Sequence, residues 1–102
     1  MKYKTNKLRQ LEKSRKSVIT VDLERCYICK RPKDDLHEIF PGRNRLNSIK
    51  YGFVLPLCRY HHQMIHTNSK MANEFKKECQ KIYEKDHSRA EWFEVFKKNY
   101  LD

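Results

Sequence analysis

The sequence predicts a small α+β domain: a zinc-stapled ββα unit with further helices behind it and a basic arm in front. Three observations predict it. Cysteines and histidines recur at metal-ligand spacing, as Cys26-x2-Cys29 and Cys58-x2-His61. Short apolar runs of strand length lie before and between these pairs. After Cys58 the spacing becomes helical, with His62 and His66 one turn apart on the same face. Of 102 residues only 38% are hydrophobic and 35% are charged, so the core must be thin. Chains of this size and composition usually need a disulfide or a metal as a staple.

Residues 1–16 are rich in Lys and Arg, with Tyr3, Leu8 and Leu11 almost their only apolar side chains. They read as a disordered or loosely helical arm, with contact to phosphates as a second use. Residues 17–102 form the domain proper, with a core at about 26–67 and C-terminal helices at about 69–102. Residues 17–22 are β-branched and predict a strand leading into the first cysteine pair. Residues 35–40 predict a second strand, closed by Pro41 and Gly42. The polar, basic stretch 43–50 predicts a loop, and the apolar stretch 51–57 a third strand that delivers the chain into Cys58. Asn68 or Ser69 can cap a helix carrying Phe75, Cys79, Ile82 and Tyr83 to about Asp86. Ser88 can cap a last helix whose apolar face is Trp92, Phe93, Val95 and Phe96, read as core rather than as a stacking platform for bases. Cys79 falls in an apolar stripe and reads as a packed free thiol.

The chain shows no signal peptide and no apolar run of membrane-spanning length, which predicts the cytoplasm. Disulfides are rare there, so zinc is the expected staple. A redox role for Cys26 and Cys29 would need a thioredoxin-like βαβ context, which this sequence lacks. The net charge of +10 points to a polyanionic partner. A membrane surface fits less well, because the basic residues are spread along the chain instead of gathering on one amphipathic helix.

His61 and His62 are adjacent, so on a helix they point about 100° apart and cannot serve one ion. That divides the ligands. Cys26, Cys29, Cys58 and His61 make a closed Cys3His tetrahedron for structural zinc. His62 and His66 are left for a second divalent cation.

Cys26-x2-Cys29, Leu36-His37-Glu38-Ile39-Phe40, and Leu57-Cys58-Arg59-Tyr60-His61-His62 with His66 together resemble the HNH endonucleases, also called ββα-metal or His-Me finger nucleases. The likeness is greatest to small phage and prophage members. Residues 40–45, Lys50-Tyr51-Gly52 and the ending 98–102 share it. The resemblance implies hydrolysis of DNA phosphodiester bonds in the cytoplasm, that of the bacterial host if the chain is phage-encoded. It implies a catalytic Mg²⁺ or Mn²⁺, with Zn²⁺ or Ni²⁺ as other options.

By position His37 falls where the strand's metal ligand belongs, His62 on the helix ligand, and His66 on the second helix ligand of members that have one. Glu38 falls where the family has its general-base histidine, and glutamate is a weak base near neutrality unless buried. The alternative is His37 as base, with Glu38 and the helix histidines holding the cation. The motif's orienting asparagine is out of place, since Phe53 stands five residues before Cys58. Asn44 is the candidate, with Asn47 in the same stretch. Arg43, Arg45, Lys50 and Arg59 are the expected phosphate contacts, positioning DNA without reading its sequence. The rival is a zinc-stabilised DNA-binding protein without nuclease activity. A protein-interaction zinc domain would explain the cysteines but not His62 and His66.

Overall fold

Strand β1 (Asp35–Glu38) pairs antiparallel with β2 (Val54–Leu57), placing His37 opposite Leu55 and Glu38 opposite Val54. The computed structural model describes residues 15–101. The basic arm therefore lies almost wholly outside the described residues. Between the strands run a 3-10 turn (Gly42–Asn44) and helix α1 (Arg45–Tyr51). After β2 come α2 (Arg59–Thr67), α3 (Ser69–Tyr83) and α4 (Arg89–Phe96). This is a small α+β architecture built on a two-stranded sheet. No helix among the described residues is long and apolar enough to cross a membrane.

The strands expected over 35–40 and 51–57 shorten to Asp35–Glu38 and Val54–Leu57, and two segments change type. Residues 43–50, expected as a loop, are the 3-10 turn and α1. The helix holds because Ser48 and Ile49 turn inward. Ser48 Oγ donates to the Phe40 carbonyl (2.8 Å) and accepts from the Phe40 N–H (2.9 Å), satisfying the backbone just beyond β1. Gly52 ends α1 at φ 75°, with its own N–H on the Ile49 carbonyl and the Phe53 N–H on Ser48. Residues 17–22, expected as a strand, form turns. Ser17 Oγ accepts from the N–H groups of Ile19 and Thr20, and Val21 is fully exposed. The Val18 N–H bonds the Gly52 carbonyl (2.9 Å), and Ile19 packs against the core.

The core contains a cluster of aromatic rings. Phe40, Phe53, Trp92 and Phe96 are all essentially buried, with Trp92 stacked on Phe96 at 4.1 Å and Phe40 against Phe96 at 4.6 Å. Phe93, expected in this face, is half exposed. Cys79 is fully buried, and burial pushes its thiol well above the usual range. Gln80 is buried and satisfied: its amide donates to Glu84 (2.7 Å) and Asn99 (2.8 Å) and accepts from the Tyr100 N–H (2.7 Å). Asn68 caps α3 by accepting from the Met71 N–H, and Ser88 with Glu91 closes a capping box on α4. Helix α3 stops at Tyr83, three residues short of the expected Asp86.

Candidate metal centres

The loop carrying Cys26 and Cys29 is a tight turn held by its own backbone. The Cys26 N–H donates to the Arg31 carbonyl (2.7 Å) and the Lys30 N–H to Cys26 (2.9 Å), with Lys30 in the left-handed region at φ 67°. The Tyr27 N–H then bonds the Pro56 carbonyl (2.8 Å), docking the turn on β2 beside the start of α2. Cys58 precedes α2 in extended conformation, and His61 follows one turn later.

The four ligand atoms lie within 4.8 Å of one another. Cys29 Sγ is 3.8 Å from Cys58 Sγ, and His61 Nδ1 is 3.6 Å from Cys26 Sγ and 3.2 Å from Cys58 Sγ. Tetrahedral zinc with ordinary bond lengths has edges of about 3.8 Å between sulfurs and about 3.6 Å between sulfur and nitrogen. The donor set fits such an ion. Its electrostatics point the same way. Burial opposes ionisation of Cys26, but backbone N–H groups at Cys29, Cys58 and Ile28 outweigh it and bring that thiol down to about 6. At Cys29 the Arg31 N–H favours the thiolate, yet burial and the Cys26 and Cys58 thiols push it upward. Three thiolates side by side repel, and a divalent cation removes that conflict.

A second cluster lies on another face of α2. His62 and His66 rise from it one turn apart, and His37 reaches them from β1. Their ring centroids are 4.7 Å (His62–His66), 5.1 Å (His37–His62) and 5.6 Å (His37–His66) apart. One nitrogen of each lies within 4.8 Å of the others. His62 and His66 face each other Nε2 to Nε2 at 3.2 Å. Two imidazoles sharing a tetrahedral cation have nitrogens about 3.3 Å apart.

Asp35 sets the His62 tautomer. Its Oδ2 lies 3.1 Å from His62 Nδ1, which donates and leaves Nε2 as the lone pair directed at His66. Sequence reasoning missed Asp35, although its position two residues before His37 on a strand puts both on one face. His37 is the buried member, and desolvation, with smaller contributions from His62, His66 and Lys76, lowers it to about 4. It is a neutral imidazole at neutral pH, with a lone pair able to ligate a metal.

Not every expected residue joins this cluster. Glu38 is one residue along from His37, so strand alternation turns it to the opposite face. There it pairs with Arg45 Nε (2.7 Å) and Arg15 Nη2 (3.3 Å). That placement removes Glu38 from the histidine cluster and commits Arg45 to an ion pair. Asn44 also has other work: its amide donates to the Phe96 carbonyl (3.4 Å) and accepts from Asn47, while Asn47 reaches the Val95 carbonyl (3.4 Å). Both asparagines satisfy carbonyls at the end of α4, where a helix leaves acceptors unpaired. Arg43, Lys50 and Arg59 are exposed. The Lys50 ammonium rests 5.3 Å over the Tyr51 ring, and the Arg59 N–H donates to Asp34.

The fifth histidine, His87, lies outside both clusters, stacked on Tyr83 at 4.1 Å. A residue given no role from sequence, Lys76, lines a recess of about 230 Å³ beside His37 and His66. Comparison with known protein families, with characterised proteins and with solved structures finds no match for this chain.

Proposed function

We propose that the chain is a divalent-metal-dependent endonuclease of the HNH type, hydrolysing DNA phosphodiester bonds and encoded by a phage or prophage. The observation that carries this reading is the three-histidine cluster with Asp35 behind His62, which draws two of its members from the helix that also supplies His61 to a separate Cys3His set. A purely structural zinc domain has no use for the second cluster. The Cys3His set staples the turn at Cys26 to α2 and so holds His62 and His66 in register with β1.

A divalent cation bound by the histidines would polarise the scissile phosphate and stabilise the leaving oxygen. The chain's own residues do the rest. Asp35 holds the His62 ring in one orientation, and burial keeps His37 neutral at working pH. Glu38, turned away and held between two arginines, takes no proton from the attacking water. His37 is the essential strand residue. It completes the ligand set with His62 and His66; as the base, with its proton affinity lowered to about 4, it would be no stronger than a glutamate.

The rival, a zinc-stabilised DNA-binding protein without catalysis, draws on the Glu38 ion pairs and the engaged amide of Asn44. Nicking of supercoiled plasmid separates the two. Wild type should nick in Mg²⁺ or Mn²⁺, and His37→Ala should bind DNA but lose at least a hundredfold in rate. Purified wild type that binds DNA and leaves plasmid intact under both cations rejects the nuclease reading and leaves the rival.

A further inference from the structure

The recess beside His37 and His66 does not end there. Ser69 and Asn73 form part of its wall, and the same two residues line a second recess of about 510 Å³ that runs on to Lys98 and Tyr100. The two make one groove along α3. Its floor follows from helical spacing, since Ser69, Asn73, Lys76 and Lys77 recur at three- and four-residue steps on a 15-residue helix. Lys70 adds a further charge near the helix N-terminus, the positive end of its dipole. The one acidic side chain on this wall, Glu74, lies 3.7 Å from Lys77.

Lys76 and Lys98 are the unusual pair. Both ammoniums sit over the Tyr100 ring, at 5.7 and 5.3 Å from its centroid. Neither has a carboxylate partner among the described residues. Two like charges held against one ring repel, and an anion between them relieves the repulsion. The groove starts at the histidine cluster, so an anionic polymer lying in it would also pass the cation site.

We propose that this groove is the track for the sugar-phosphate backbone of the DNA strand that enters the histidine cluster, with Lys76 and Lys98 gripping its phosphates. This rests on the nuclease reading. It places DNA on lysines of α3 and the C-terminal segment that were not among the expected contacts.

The test is binding of a short fluorescent duplex by the full, zinc-loaded chain, without added divalent cation, over a range of salt. Lys76→Gln/Lys98→Gln should weaken binding about tenfold and flatten the slope of log K against log salt by about two. Arg25→Gln/Lys85→Gln removes the same charge from exposed positions elsewhere and should change binding less than threefold. Equal losses in the two double variants, or none in the first, overturn the track. If Lys76→Gln/Lys98→Gln melts well below wild type, exposed Lys98→Gln alone decides: a slope lower by about one supports the track, and an unchanged slope rejects it. Because binding is read without cleavage, an inactive wild type rejects the nuclease reading while the binding comparison stands. A nicking wild type matched by an equally tight Lys76→Gln/Lys98→Gln rejects the track alone.

Discussion

His37 shows how one side chain's surroundings set its use. It is buried on a strand with two imidazoles facing it, and its affinity for protons falls to about 4 from the ordinary 6.5. The unfolded chain therefore binds a proton below about pH 6.5 that the folded chain refuses until about pH 4. Stability should fall as pH drops through that window. At pH 5 the loss assignable to His37 is about 2 kcal/mol. Urea unfolding of wild type and His37→Gln at pH 7 and pH 5, without added divalent cation, measures it, because acid effects on the Cys3His set are common to both. The variant should lose less stability than wild type by that amount; equal losses contradict a buried neutral His37. Asp35 acts through His62. Asp35→Asn should keep the fold and weaken divalent-cation binding at the histidines by ten- to a hundredfold, read by titration with Mn²⁺.

The elements were legible where chemistry or capping marks them and illegible where only packing does. Helix α2 and its division between two candidate ligand sets follow from residue spacing alone, and the Ser88 cap from residue type. Helix α1 did not announce itself. Its sequence is mostly polar, and what holds it is the buried Ser48 clasp on Phe40, a contact eight residues away. A usable signal was Gly52, one residue past the helix end, where the chain turns left-handed. A Cβ there would meet Val18 Cγ1 at 3.1 Å and Val18 N at 3.3 Å on a positive φ. Gly52→Ala should cost about 2 kcal/mol in urea unfolding. The β-branched run at 17–22 misled for the converse reason. Strand propensity acts only where a partner strand exists, and here the N–H groups turn back on Ser17.

At the scale of the molecule, a thin aromatic core and a two-stranded sheet hold together a chain with a net charge of +10. The Cys3His set brings the turn at Cys26 to the start of α2, beside the Tyr27–Pro56 backbone bond that docks the turn on β2. Cys26→Ser should lose one equivalent of zinc and its cooperative thermal transition together; a folded, zinc-free variant contradicts the staple. The two candidate metal clusters could be read from sequence because metal chemistry restricts both residue type and spacing. Asp35, the opposed Glu38 and the lysines of α3 could not. Their roles depend on which strand face and which helix side the fold brings together.

The central claim is that one helix serves two metals with separate duties. Electron paramagnetic resonance of the zinc-loaded protein titrated with Mn²⁺ tests it most directly, with zinc counted in the same samples. Wild type should bind one Mn²⁺ and retain one zinc, and His62→Ala should lose the Mn²⁺ site while keeping the zinc. Unchanged Mn²⁺ binding in His62→Ala, or loss of both metals together, would contradict the division.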